Sequence, residues 1–338
     1  MGSVFRRGGL LLVATTLLQG CGASQAPIGI PSATQQTGTR AAHASPSTSW
    51  MAAEASSKNL LYVSDGDSNV DVYSYPEAKV EGTLTSFVSP RGLCVDKAGN
   101  VFVANSGEYN ILEYAHGGKT PIKTISDTGY FPNGCSVDPT TGNLAVSNVC
   151  EASGNDCIGP GNLALYKKAK GTPTYFADGS IARMFHCDYD NSGNIFVDGQ
   201  TGDLTGFQLA ELKNGKSAFI NIRVNHMIYW PGGVQWDGKY VAVGDEDAGG
   251  NKFTSVIYRV QVKGPKGTVV STMRLQGSGE VLQFWIQGSK LIGPDPRTPT
   301  TLSDIRIWNY PAGGPPTKII TAGMNGKLPS GATVSLSR

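Results

Sequence analysis

Pro90-Arg91-Gly92-Leu93-Cys94-Val95-Asp96, followed two residues later by Gly99-Asn100-Val101-Phe102-Val103-Ala104-Asn105, is the stretch whose reading decides the fold. An apolar run ends in an aspartate, a short turn ends in Gly-Asn, and a β-branched run follows, which is the signature of a hairpin. The same pattern returns at Pro132 to Asp138 with Gly142 to Asn148, at His186 to Asp190 with Gly193 to Val197, and at Gly232 to Asp237 with Gly238 to Val243. A weaker copy spans Val281 to Trp285 and Gly288 to Ile292. The aspartates at 96, 138, 190 and 237 stand 42, 52 and 47 residues apart. That period belongs to a propeller blade of four strands and not to a helical repeat.

Working outward, third strands are predicted at Asn69 to Tyr75, Asn110 to Tyr114, Asn162 to Tyr166, Phe207 to Leu212, Ser255 to Val262 and Asp304 to Tyr310. Shorter fourth strands follow Gly/Pro-rich turns, as at Ile122 to Ile125 and Lys318 to Thr321. Leu60 to Asp65 matches a second strand, so the folded region starts one strand late. Pro329 to Ser335 matches a first strand. A C-terminal strand laid inside the first blade closes the ring and protects its edges. The fold class expected is all-β: a six-bladed β-propeller with four-stranded blades over 58–338, about 47 residues each. The 44 glycines, about twice the usual share, are the turn residues of that repeat.

The N-terminal part carries a different message. Arg6 and Arg7 precede the apolar run Leu10 to Leu18, and Leu17-Leu18-Gln19-Gly20-Cys21 ends it. A charged start, a short apolar core and a small residue before the cut form a secretory signal over 1–20. The ending resembles the lipobox of bacterial lipoproteins, which implies an acylated Cys21 and anchoring to a membrane by more than one chain. Residues 21–57, rich in Ser, Thr, Ala, Gln and Pro, are expected to form a disordered tether. Loss of 1–20 takes Arg6 and Arg7 from the 28 Lys+Arg and leaves 26 against 26 Asp+Glu. A neutral chain without a basic run excludes nucleic acid as the expected partner. A monomer outside the cytoplasm is the expected state.

The repeat resembles the NHL type of six-bladed propeller, whose blades carry Gly-x-x-Val-Asp, then Gly-Asn-x-Tyr-Val-Ala-Asp, then an Asn before the third strand. That scaffold hosts protein-binding, carbohydrate-binding, sensor and enzymatic members, so the resemblance implies architecture and not one activity. Phe131 to Asp138 is similar to the segment of gluconolactonase-like propellers in which the Asn of Pro-Asn-Gly binds calcium. On that resemblance Asn133 and Glu280 are candidate metal ligands and a calcium-dependent lactonase is the alternative function. Matching positions carry Ser330, Arg91, Phe185 and His186, and Arg91 puts a cation where a ligand should stand. The leading expectation is therefore a non-catalytic module that binds a protein or a cell-envelope glycan. Its binding face is the channel mouth, marked by Arg91, Asn133, His186, Pro231 and Glu280.

The remaining features read as structure. Asp65, Asn105, Asn148, Asp198, Asp245 and Asp295 close second strands and are expected to bond their own following turns. Asp65-Gly66-Asp67-Ser68-Asn69-Val70-Asp71 has calcium-loop spacing but lacks the sixth-position glycine and twelfth-position glutamate. Cys150 and Cys157 bracket an inserted loop and are expected to form a disulfide. Cys94, Cys135 and Cys187 sit on inner strands; Cys135 and Cys187 share a repeat position and are the alternative bridge. His43, His116, His186 and His226 show no metal-ligand spacing. Gly215-Lys216-Ser217 lacks the first glycine of a phosphate loop, and no Gly-x-Ser-x-Gly elbow is present. Tyr229-Trp230-Pro231 and Trp285 stand near inner-strand entries as candidates to line a ligand mouth, with core or interblade packing the expectation for each Trp.

Overall fold

A computed structural model describes residues 48–338 except 67, 250–254, 297–302 and 325. Cys21 and the signal and lipobox residues lie outside the described residues, as does Asp67 of the calcium-like loop.

The strands run β1 (Trp50–Met51), β2 (Leu60–Ser64), β3 (Val70–Ser74), β4 (Val80–Leu84), β5 (Pro90–Val95), β6 (Val101–Asn105), β7 (Asn110–Tyr114) and β8 (Pro121–Ser126). Next come β9 (Tyr130–Val137), β10 (Leu144–Ser153), β11 (Asp156–Tyr166), β12 (Thr174–Phe176), β13 (Ile181–Tyr189), β14 (Ile195–Thr201), β15 (Phe207–Leu212) and β16 (Phe219–Val224). The rest are β17 (Pro231–Trp236), β18 (Val241–Asp245), β19 (Val256–Lys263), β20 (Lys266–Arg274), β21 (Trp285–Gln287), β22 (Lys290–Asp295), β23 (Asp304–Asn309), β24 (Lys318–Ile320) and β25 (Gly331–Ser335). Each repeat of the sequence becomes an antiparallel meander, because its Asp and Gly-Asn close the first turn. Asp96 accepts from the Asn100 backbone and side chain, and Asp190 accepts from Ser192, Asn194 and the Asn194 amide.

These strands form five sheets and not six separate ones. β5–β8, β9–β12 and β21–β24 are four-stranded. The eight-stranded sheet consists of the antiparallel quartets β13–β16 and β17–β20, joined where Arg223 and Val224 run parallel to Lys266 and Gly267. β20, nine residues long, is long enough to reach its neighbour's outer strand. The first sheet has five strands in the order β1-β4-β3-β2-β25. Its β25 pairs antiparallel with β2, from Leu60 opposite Ser335 to Ser64 opposite Gly331, so the C-terminal strand completes the first sheet. Its β1 pairs with β4 at Trp50 opposite Thr83, so ordered structure begins before residue 58, inside the stretch expected to be tether. Ala55, fully buried against Leu60 and Tyr62, supplies the apolar anchor that the polar composition of this stretch conceals.

The core lies between the sheets. Six apolar clusters join each quartet to the next in a closed cycle, ending with Ile292 and Ile305 against Leu61 and Val334. Both faces of every sheet are thus covered, which is why strands such as β2 and β6 are buried at all five positions.

Candidate functional site

At the ring's centre, the residue four positions before the turn aspartate, or its equivalent, recurs in the inner strands and, for Gln283, just ahead of β21. It is Gly92, Gly134, His186, Gly233, Gln283 and Gly331 in turn. The glycines allow neighbouring backbones to meet. A Cβ on Gly92 would lie 2.5 Å from the Asn133 carbonyl, and one on Gly331 2.6 Å from that of Arg91. Gln283 fills the space they leave. Its amide donates to the Leu93 carbonyl at 2.9 Å and accepts from the Leu93 N–H at 3.0 Å, so the side chain acts as a short piece of strand. His186 lies 3.7 Å through Nδ1 from Asp198, whose carboxylate also takes the His186 backbone N–H. Burial holds the Asp198 carboxyl above its usual range, with the His186 contacts opposing.

Of the residues predicted to mark the channel mouth, Pro231 opens β17 and Arg91 is second in β5, Asn133 and His186 lie within β9 and β13, and Glu280 precedes β21; most of them serve the ring. Asn133 is buried and donates its amide to the Phe185 carbonyl at 2.7 Å. Ser147 adds a second bond to that carbonyl, tying the third sheet to β13. Pro231 is buried at the start of β17 opposite Asp245. Glu280 is buried beside Gly279, and both backbone N–H groups donate to Asp295. Arg91 is half-buried, and its carbonyl accepts from Ser64. Among the described residues no three His, Cys, Asp or Glu side chains converge as a metal site. In the calcium-like loop, Lys327 Nζ stands 3.7 Å from the Asp65 carboxylate, which already accepts from Ser68 and Asn69.

The second-strand Asx residues correct a sequence expectation. Asp65 caps its own turn and Asp245 also accepts from the Asp247 N–H of the turn after it, but Asn105, Asp198, Asp245 and Asp295 reach back as well to the segment that enters the inner strand. They accept from Val88, His186, Tyr229 with Trp230, and Gly279 with Glu280. Of these donors the His186, Gly279 and Glu280 N–H groups are buried, and the side-chain acceptor supplies the partner that burial requires. Desolvation pushes Asp295 up to about 7, although Gly279 and Arg306 pull the other way.

What the sequence reading missed is a surface beside the mouth. β10 and β11 extend past the ends of their neighbours as a hairpin, braced by the Cys150–Cys157 disulfide, and Arg183 donates to its Gly159 carbonyl at 3.1 Å. Ile158 near its tip is 60% exposed. At its base Tyr109 packs on Phe131 with centroids 5.2 Å apart, and Tyr130 on Tyr175 at 4.9 Å. Tyr175 also donates to buried Asp127, which desolvation raises to about 6. Tyr130 and Phe131 are neighbours in β9, but their partners Tyr175 and Tyr109 lie 45 and 22 residues away, so the cluster gives no local motif. The second disulfide is also a correction: Cys94 joins Cys135, not Cys135 to Cys187, and Cys187 remains a buried thiol. Desolvation keeps that thiol protonated at ordinary pH.

No family model and no curated protein matches this chain. Among solved structures it is similar to a chain of a nidogen/laminin complex, with a TM-score of 0.62 and 14% identity over 83% of this chain and 99% of that one. A protein of unknown function from Bacteroides caccae gives 0.61 and 14%, covering 82% and 99%. At such identity the likeness shows the fold alone: the protein is an all-β chain of the β-propeller class.

Proposed function

We propose that this propeller has six blades of NHL-like type, is anchored by an acylated Cys21 outside the cytoplasm, and binds a protein or a cell-envelope glycan without catalysis. Taking β13–β16 and β17–β20 as separate blades gives the count, and the closed cycle of six apolar clusters supports it. Two disulfides fit an oxidising compartment. The observation that carries the binding reading is the braced β10–β11 hairpin with its tyrosine cluster. Ring closure does not need its overhang, which presents exposed Ile158 and Tyr175 beside half-buried Tyr109 and Tyr130, and aromatics on a rigid support are the usual anchors of recognition surfaces. The likeness to a chain from a nidogen/laminin complex fits a module of this kind.

The residues at the mouth do not favour the lactonase alternative, because Arg91 puts a cation among the candidate ligands and, among the described residues, no three acidic, His or Cys side chains converge. A glycan array and cross-linking to envelope proteins with the full chain test the proposal. Specific capture lost in Tyr130→Ala/Tyr175→Ala, in Ile158→Asp or in Arg91→Ala is the expected result. Capture unchanged in all three, or stoichiometric calcium with lactone turnover, overturns it. Lipid labelling abolished by Cys21→Ala tests the anchor.

A further inference from the structure

On the face opposite the mouth, where the first turns lie, the quartets meet along seams. The seam between β9–β12 and β13–β16 holds a groove of about 520 Å³, a volume within the range of small-molecule sites. Its floor is apolar, from Leu165, Phe176, Ile195 and Leu212, and its rim carries Lys167, Lys213 and Lys216. The rim is fixed and not a chance meeting of side chains. Asn143 accepts from the Lys168 N–H on one side, and Asn194 accepts from the Asn214 N–H on the other, at 3.0 Å each.

Two further groups decide what fits. Asp138 also lines the groove, but its carboxylate is saturated by the Thr140 N–H and the Thr140 and Thr141 hydroxyls. Three lysines against one carboxylate leave the groove net positive. Tyr189 lines it as well; the residue is only 6% exposed, and its hydroxyl has no hydrogen-bond partner. A buried donor left unpaired costs free energy that an incoming acceptor recovers. Desolvation holds the Tyr189 phenol far above its ordinary range, next to Cys187 and Asp138, so it stays a donor at all physiological pH.

We propose that this groove binds a small amphipathic anion, an apolar chain or ring bearing one carboxylate. The apolar part lies on the Leu165–Phe176–Ile195–Leu212 floor, and the carboxylate meets the lysine rim. Lysine ammonium groups act here as point charges that accept a carboxylate without demanding one geometry.

Titration calorimetry of the full chain with sodium decanoate, 4-phenylbutyrate and the neutral control decanol tests the site. Saturable one-to-one binding of at least one carboxylate, at least tenfold tighter than decanol, is expected. Lys213→Gln/Lys216→Gln replaces two exposed residues and should weaken the carboxylate about tenfold while leaving decanol unchanged. Tyr189→Phe should weaken it severalfold at an unchanged melting temperature, and Asn214→Tyr should block it. No saturable binding of either carboxylate, or binding indifferent to both the lysine pair and Asn214→Tyr, overturns the assignment. The mouth-face variants should leave this titration unchanged, so the two proposals fail separately.

Discussion

Two seams of the ring occupy equivalent positions and are filled differently. In the seam between β17–β20 and β21–β24, Arg259 sits over Tyr240 and Tyr310 at 4.8 and 5.5 Å. It donates to Asp237 at 2.7 Å, and Tyr310 donates to the same carboxylate at 2.6 Å. Register places Arg259 where the other seam has Leu165, since each pairs with the alanine at the second position of its sheet's second strand. Likewise Tyr240 stands for Asn143, and Tyr310 for Asn214. Three large side chains close one seam; their smaller counterparts leave the other open. The backbone repeat is shared, so the groove is a property of side-chain volume at three positions and not of blade geometry.

The strongest tie in the ring lies at a third seam and sets the scale. Cys94–Cys135 spans 41 residues and links β5 to β9, whereas Cys150–Cys157 spans 7 within one hairpin. Loop-closure entropy makes the first worth about 4 kcal/mol and the second about 2.5. Urea unfolding of Cys94→Ala/Cys135→Ala should therefore show the larger loss, with the Cys150→Ala/Cys157→Ala protein less affected. Equal losses would mean that the seam is held by its apolar cluster regardless of the bridge.

Next in size is the filled seam itself. Arg259→Leu places the other seam's residue there and removes one partner of Asp237, whose side chain is 1% exposed. Arg259 is itself partly open to water, so the loss should be about 2 kcal/mol, below the range for a fully buried pair. The same measurement checks it, and Tyr310→Phe added to Arg259→Leu should be less than additive because both donate to one carboxylate.

How much of this the sequence carries differs by level. Strand order, the turn role of Asp96 and Asp190, and the closing strand Gly331 to Ser335 follow from local patterns of period two and from Gly-Asn turns. The candidate site is not legible that way. The Cys94–Cys135 bridge joins residues two and three positions before their respective aspartates, so matching by repeat position points to Cys135 and Cys187 instead. Gln283 and His186 stand where the other four equivalents are glycine, and those two departures are the sequence signal that side chains enter the ring's centre. Arg259, Tyr240 and Tyr310 come from separate strands and turns, and only register brings them together.

A smaller effect concerns the inner layer shared by the seams. Asp188 accepts from Ser136 of β9 and from the Trp236 N–H of β17, linking three quartets, and desolvation lifts it to about 6. Asp127 is lifted to about 6 and Asp295 to about 7 by the same cause. An acid with a raised folded-state value binds its proton more tightly folded than unfolded, so stability falls as pH climbs from the unfolded value near 4 through the folded one. The melting temperature should accordingly rise by a few degrees from pH 8 to pH 5. Asp295→Asn should flatten the upper part of that slope, and a profile flat or inverted over this window would place these carboxylates in contact with water.

The smallest expected change in stability is the most informative about the open seam. Asn214→Tyr and Leu165→Arg together install the aromatic and the guanidinium of the filled seam, with Asp138 standing for Asp237. Asn214 is exposed, and the residue gives up a bond from its amide to the Ser192 carbonyl at 3.1 Å. The new guanidinium gains a carboxylate, but one already satisfied by Thr140 and Thr141. Leu165 is partly buried against its core cluster, so its packing is lost as well and the net change should stay within about 1 kcal/mol. Carboxylate binding should nonetheless vanish. Large stabilisation would mean that the open seam is a packing defect; loss of binding at unchanged stability means that its volume is kept for a ligand.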